Sequence, residues 1–468
     1  MNKSVDTIAA QATPAGRGAI GIVRISGPAA KTLLDQVFAP CSAQWTGFKP
    51  WVLHRGRFLD DKGAAIDDVL AVSMPAPKTY TGEDMAEIQC HGNPLILSTI
   101  LARLFALGAR PAGAGEFSKR AFLHGRMDLT QAEAVCEIVQ AQSIEALNDT
   151  VHRLDGLLSR QIADLRASLD TLRTHIVLAV DFPDEEYECL DRTQFAKQLA
   201  AIQSRLSTLL EGKERSRYFQ AGARVFLLGR VNAGKSSLLN ALLGRDRALV
   251  SSIAGTTRDF LEEPCLVAGL PLVLLDTAGL RETNDPLEQL GIERALSQAA
   301  TADLHLVLLD GSVWTREQLE CAICPDPFYA DLFARFASIP TIVVWNKADL
   351  VAPHHFPPAW WHGAAVSIST ETGEGLERLG RLIRTTLLGA DTTFLGQEFV
   401  GVNERQASVL HRAHHELALL QEDVCAGIPY DLCAVRLELC AAILGEVIGF
   451  SSSTDVLNAL FGRFCIGK

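Results

Sequence analysis

The sequence predicts a multidomain α/β chain: an N-terminal α/β domain, a helical bundle, and a second, mostly parallel α/β domain inserted into that bundle. Three observations carry this. Strand-like runs and an amphipathic helix fill roughly the first 125 residues, and a helical period then holds from Leu129 to about Gln220. Five short apolar runs occupy 221–388, and helical periodicity returns after about residue 390. A length of 468 residues suits about three domains at roughly 150 residues each. The predicted segments are 1–125, 126–220, 221–388 and 389–468.

Each element follows from a local pattern. Asp6–Ala12 and Gly18–Ile25 read as strands joined by the turn Thr13-Pro14-Ala15-Gly16. Pro94–Leu107 reads as a helix with Leu95, Ile96, Ile100, Leu101 and Leu104 on its apolar side. Leu158, Ile162, Leu165, Leu169, Leu172 and Ile176 form a heptad-like seam, read as one bundle helix rather than a separate coiled-coil dimer. An acidic turn, Asp181–Glu186, interrupts the helical region. Arg224–Leu228, Leu272–Leu275, Leu304–Leu309, Thr341–Trp345 and Ala364–Ile368 have the continuous apolar character of buried parallel strands. Leu410, Ala413, Leu417 and Leu420, then Leu437, Cys440, Ala441 and Leu444, restore the helical period. A helical region split in this way places 221–388 as an insertion whose flanking halves meet in space.

Composition excludes several classes. Hydrophobic residues make up 48% and charged residues 21%, the balance of a globular chain that buries a core. With 43 Lys+Arg against 55 Asp+Glu the net charge is −12, the wrong sign for coating nucleic acid by charge alone. No stretch reaches the roughly 18 apolar residues of a membrane span, and the start lacks the apolar core of a signal peptide. A cytoplasmic protein with no membrane partner is expected. The 11 cysteines are odd in number and scattered, which predicts reduced thiols. Cys321 and Cys324 have C-x-x-C spacing without a second pair, so they read as a surface loop ahead of Pro325.

The informative motif is Gly229-Arg-Val-Asn-Ala-Gly-Lys-Ser236, which follows a strand and precedes a helix. Its glycines let backbone N–H groups approach a phosphate chain, with the N-terminus of the following helix behind them. Asn232, Ala233, Gly234, Lys235, Ser236 and Ser237 are the expected phosphate-contacting residues. Lys235 would reach the β- and γ-oxygens, and the Ser236 hydroxyl would ligate Mg²⁺. Asp276, Thr277, Ala278 and Gly279 follow the next apolar run as a second phosphate and metal loop. Asn346, Lys347, Ala348 and Asp349 end a further strand, where a carboxylate accepts from N1–H and the 2-amino group of guanine. Ser369 and Thr370 lie where backbone contacts would complete the base pocket. Gly255-Thr-Thr-Arg-Asp259 falls between, with Thr257 as the second Mg²⁺ hydroxyl. In this order the set points to a Ras-like P-loop GTPase domain. Leu280 stands where such domains place a water-orienting glutamine, so hydrolysis must draw a polar group from elsewhere.

The chain also carries Asp6-Thr-Ile, Gln11-Ala-Thr-Pro, Gly16-Arg-Gly, Arg24-Ile-Ser-Gly27, Thr81-Gly-Glu-Asp84, His91-Gly92, Gly115-Glu-Phe-Ser118 and Arg120-Ala-Phe-Leu123. Asp128-Leu-Thr-Gln-Ala-Glu-Ala134 and the terminal Phe464-Cys-Ile-Gly-Lys468 complete the pattern. With GTTRD and a DTAG lacking its glutamine, the whole chain resembles the tRNA-modification GTPases called MnmE or TrmE. The resemblance implies a homodimer that joins the FAD-dependent MnmG in a heterotetramer acting on tRNA. That complex places a carboxymethylaminomethyl or aminomethyl group on C5 of the wobble uridine. It implies 5-formyl- or 5,10-methylene-tetrahydrofolate in the N-terminal domain, near Arg24, Glu87, Arg126 and Lys468. It implies that Glu288 replaces the missing glutamine, acting through a second water, and that K⁺ is held by Asn232, Ser251, Ile253 and Thr256. Ser251, Ser252, Ile253, Ala254, Gly255, Thr256 and Thr257 form the implied loop over GTP.

An Era-like GTPase acting as a ribosome or RNA assembly factor is the competing reading. Such factors carry a basic G-x-x-G domain after the GTPase unit, whereas residues 390–468 here read as helical and end in Cys-Ile-Gly-Lys. Cys465 reads as packing or pocket lining, because no base is evident beside it.

Overall fold

The computed structural model describes residues 6–181, 192–246, 262–276, 297–350, 357–389, 400–450, 454–462, 464, 466 and 467. Two compact units result. One comprises Met1–Cys136, Arg153–Leu199 and His415–Lys468, and the other Glu137–His152 and Ala200–His414.

The first unit holds a seven-stranded sheet in the order β3-β4-β5-β6-β2-β1-β7. Its strands are β1 (Ile8–Gln11), β2 (Ile20–Ser26), β3 (Phe38–Pro40), β4 (His54–Leu59), β5 (Ala65–Met74), β6 (Met85–His91) and β7 (Arg110–Pro111). Every pairing is antiparallel except β1 with β7. Side chains alternate across a strand, so Val23 and Ile25 of β2 enter the core while Arg24 faces the other way. Helices α1 (Ala30–Val37), α2 (Pro94–Ala106) and α3 (Glu116–Leu123) accompany the sheet. Asn93 caps α2 by accepting from the Leu95 N–H, and Pro94 sits where its missing donor costs nothing. The buried stripe of α2 is Leu97, Ile100 and Leu104, whereas Leu95 is exposed. Nearly every position of this helix is apolar, so periodicity alone did not single out the buried face.

The remaining helices of the chain begin with α4 (Leu129–Gln140), α5 (Ile144–Leu154), α6 (Leu157–Asp181) and α7 (Arg192–Ala221). Within the first unit the seam of α6 is filled by the chain itself. Leu158, Ile162, Leu165, Leu169, Leu172 and Ile176 are all buried, and α6 packs on a helix from the C-terminal end, Tyr430–Ile448. The two helical halves thus meet across the intervening sequence.

The second unit holds a six-stranded sheet: β8 (Ala223–Gly229), β9 (Glu262–Val267), β10 (Leu270–Asp276), β11 (Leu304–Asp310), β12 (Thr341–Asn346) and β13 (Ala364–Ser367). The order is β13-β12-β11-β8-β10-β9. All pairings are parallel except β9 on β10. Strand β9, Glu262-Glu-Pro-Cys-Leu-Val, was not foreseen, since two acids and a proline argue against a strand. Its edge position accommodates Pro264, because one side of the ladder needs no donor. Helices α8 (Lys235–Asp246), α9 (Arg316–Glu320), α10 (Pro327–Arg335) and α11 (Leu376–Leu388) accompany this sheet. The chain ends in α12 (Glu404–Cys425), α13 (Tyr430–Ile448) and α14 (Thr454–Phe461). No helix among the described residues is long and apolar enough to cross a membrane.

Candidate functional site

Strand β8 lies between β10 and β11, so the sheet order reverses at its carboxyl end. In open α/β sheets that is where a crevice forms. The carboxyl ends of β8, β10, β11 and β12 bring Gly229, Asp276, Asp310 and Asn346 to one edge of the sheet.

From Gly229 the backbone arches into α8 through left-handed residues: Gly229 has φ 148°, Asn232 φ 65° and Gly234 φ 94°. A Cβ on Gly229 would sit 2.6 Å from the Leu308 carbonyl oxygen. Gly234 is hemmed in as tightly, because a Cβ there would land on the Asn346 amide nitrogen. Lys235 folds back over the arch, and its Nζ donates to the Gly229 carbonyl at 2.8 Å and the Arg230 carbonyl at 2.9 Å. An ammonium is thereby fixed over the loop, while Asn232, Ser236 and Ser237 are exposed.

The loop after β12 is stitched to this arch. Asn346 is 1% exposed; its Nδ2 donates to the Ala233 carbonyl at 3.0 Å and its Oδ1 accepts from the Thr370 N–H at 3.2 Å. Lys347, with φ 62°, places Nζ 2.6 Å from Asp310 Oδ2. Burial pushes the Asp310 carboxyl up, yet the Lys347 ammonium and the Ser312 donors outweigh that and hold it below its ordinary value. The Ala348 N–H donates to the Ile368 carbonyl at 3.0 Å, and Ser369 is buried with its Oγ accepting from Thr372 N–H. Asp349 is exposed in the single turn Ala348–Leu350. The structure therefore gathers Ala233, Gly234, Lys235, Asn346, Lys347, Ala348, Ser369 and Thr370. Ser251 to Thr257, Thr277 to Gly279, Leu280 and Glu288 lie outside the described residues.

A second cluster lies in the other unit. The β2–β6 register sets Arg24 directly opposite Glu87, and Arg24 Nε donates to Glu87 Oε1 at 2.8 Å. The guanidinium lies 5.6 Å from the Tyr80 ring and 5.8 Å from the Phe117 ring. Its Nη1 donates to the Gly467 carbonyl at 3.3 Å. The tail reaches that carbonyl through Phe464, which packs beside Phe461, and through an Ile466–Ala114 bridge. Gly467 has φ 96°, and a Cβ there would strike the Gln11 carbonyl. Arg126 is exposed, with Nε donating to the Thr79 carbonyl at 3.0 Å. Lys468 and Cys465 lie outside the described residues, as does most of the Asp181–Glu186 turn. Cys321 is exposed and Cys324 half-buried, both between α9 and α10. Among the described residues no group of three His, Cys, Asp or Glu side chains is placed to hold a metal ion.

Sequence reasoning did not single out Asp310, Tyr80, Asp326 or Tyr329, and it held Phe117 and Gly467 only inside quoted motifs, without a role. Of the first four only Asp326 carried a local signal: Asp-Pro before an amphipathic run marks a helix start.

A family model described as the MnmE helical domain matches residues 129–465, and one described as the GTP-binding protein TrmE N-terminus matches residues 7–126. The tRNA modification GTPase MnmE of Lawsonia intracellularis is 45% identical over 99% of this chain and 100% of its own length. That of Nitratidesulfovibrio vulgaris is 46% identical over 99% of both chains, and that of Thermus thermophilus 42% over 99% of both. With near-complete coverage at such identity, and a P-loop arch in place between helical halves, the chain belongs to the MnmE family of tRNA modification GTPases.

Proposed function

We propose that this chain binds and hydrolyses GTP on the 229–237 arch as part of a tRNA wobble-uridine modification complex. The supporting observation is the Asn346 amide, which joins the Ala233 carbonyl of the arch to the Thr370 N–H of the last loop. Phosphate-binding and base-binding segments are thus one hydrogen-bonded assembly. In this reading Lys235 and the N–H groups of the arch take the phosphates, and Ser236 with Thr257 holds Mg²⁺. Asp276 to Gly279 and Ser251 to Thr257 close over the γ-phosphate, and Asp349 reads guanine. Glu288 stands in for the glutamine absent at Leu280. Asn232, Ser251, Ile253 and Thr256 take K⁺, whose charge would complement Lys235. The segments 1–125, 126–220, 221–388 and 389–468 divide into a dimer-forming folate domain, two helical halves and the GTPase.

The Arg24 cluster suits a reduced folate. A guanidinium set near aromatic rings offers a cation and flat faces to a heteroaromatic acid, with Arg126 and Lys468 as further charges. Such a folate, when bound, supplies a one-carbon unit. MnmG, tRNA and a second copy of the chain are the proposed partners, in the cytoplasm.

Two measurements test this. The protein should turn over GTP but not ATP, faster in K⁺ than in Na⁺, with Asp349→Asn shifting preference toward xanthine nucleotides. Equal turnover of ATP and GTP would sink the base-pocket assignment. Nucleoside mass spectrometry of tRNA from cells lacking the protein should show unmodified wobble uridines, and unchanged tRNA would sink the modification role.

A further inference from the structure

Arg230, the second residue of the arch, is gripped from three directions by the first turn of α10. Its backbone N–H donates to the Tyr329 hydroxyl at 3.3 Å, and that hydroxyl donates onward to the Leu308 carbonyl at 2.9 Å. The Arg230 guanidinium pairs with Asp326 Oδ1 at 2.8 Å and lies 5.4 Å from the Phe328 ring. Asp326 is also the N-cap of α10, so one side chain starts the helix and holds the arginine.

We propose that Tyr329, assisted by Asp326 and Phe328, is a positioning residue for the nucleotide site: it sets where the Lys235 ammonium stands by fixing the Arg230 peptide. This rests on reading the arch as the phosphate site. The chain of contacts is short. Lys235 Nζ is held by the carbonyls of Gly229 and Arg230, so its position follows that of the Arg230 peptide. On the N–H side that peptide is tied to Tyr329, and through Tyr329 to the end of β11. The arch needs such a tie, because Gly229 and Gly234 reach its positive φ values without steric cost and are equally free to leave them.

Among the three contacts, the phenol dominates. The Arg230 side chain is 56% exposed, and an exposed ion pair is screened by water and contributes little. Tyr329 is 2% exposed. Burial pushes its hydroxyl up to about 12, so at neutral pH it keeps the proton it donates to Leu308. Removing a buried hydroxyl that bridges two backbone groups takes from each the bond it makes to that hydroxyl.

The test uses the full chain. Tyr329→Phe should release a fluorescent GDP analogue about 3- to 10-fold faster, the range one lost hydrogen bond supplies. The gap in melting temperature between GDP-saturated and nucleotide-free protein should also shrink. A tyrosine that merely fills the core would lower both melting temperatures equally and leave release unchanged, which would overturn the proposal. If Tyr329→Phe fails to fold, hydrogen exchange in the nucleotide-free wild type decides. The Arg230 amide should then be protected like the amides inside β8, and rapid exchange would remove the tie. Wild-type protein that binds no guanine nucleotide would instead sink the nucleotide-site reading, since the exchange experiment contains no nucleotide.

Discussion

Lys235 and Arg24 are both cations held in place by the chain itself, and they are held by opposite means. Lys235 is fixed by carbonyls five and six residues away in sequence, on a loop whose glycines allow the arch. Arg24 is fixed by Glu87 across the β2–β6 ladder and by Gly467 at the far end of the chain. The first arrangement closes a very short loop; the second depends on a sheet register and on a docked tail. Perturbation should therefore act differently on the two. Backbone changes should destroy the arch, while the Arg24–Glu87 pair should survive loss of the tail.

The largest effect should follow Gly234→Ala. Its φ of 94° disfavours any side chain, and the added Cβ would displace the Asn346 amide from Ala233. Strain of about 1–3 kcal/mol with a lost buried hydrogen bond predicts GDP binding on the order of 100-fold weaker by calorimetry. Affinity within about threefold of wild type would break the view that the arch is a property of its own backbone.

A smaller and localised effect should follow Gly467→Ala. With φ 96° and the Gln11 carbonyl in the way, the tail cannot keep its place. The Ile466–Ala114 bridge should open, and backbone exchange at Ile466 should rise about tenfold. GDP affinity should not move, and the Arg24–Glu87 pair should persist, because the ladder alone sets it. If the pair separates when the tail leaves, the sheet register is not what holds it.

The same contrast explains what could be read from the chain before its structure. The arch was legible because a conformational demand forces glycine at fixed spacing, and Gly229 and Gly234 answer it within six residues. The α6 seam was legible because helical packing repeats locally. The Arg24–Glu87 pairing left no local trace, since it depends on a register joining residues 63 apart; only resemblance named those residues. Tyr329 was invisible for the same reason: nothing in Asp326-Pro-Phe-Tyr says that the phenol meets a loop 99 residues earlier. Strand β9 was hidden by Pro264, whose edge position is a fact of topology.

The gentlest probe is acid, which should separate the two units by the groups each has buried. His305 lies on β11 of the nucleotide unit, fully buried against Phe336, with Nε2 donating to the Ala299 carbonyl at 2.8 Å. Burial lowers its pKa below 6.5, so the folded form keeps the ring neutral where the unfolded chain would take a proton. More protons bound in the unfolded state means that stability rises with pH. The contribution is therefore complete above about 6.5 and is lost as pH falls toward the depressed value. In the other unit burial raises Glu116, but donors from Arg110, Gly113 and Arg120 outweigh it and leave the carboxyl below 4.5. That contribution also has a lowered folded pKa, yet it is present above 4.5 and fades only below it. Between about pH 6 and 5 the nucleotide unit should loosen while the Arg24 unit does not. Hydrogen exchange at pH 7 and 5.5 would show this as faster exchange along β11 and β8, with β2 and β6 unchanged. His305→Gln keeps a donor for Ala299 without a titrating ring, so it should flatten the pH dependence, at a cost of a few degrees in melting temperature. Equal loosening of both sheets, or a pH dependence that survives His305→Gln, would show that the acid response is not the burial of this one imidazole.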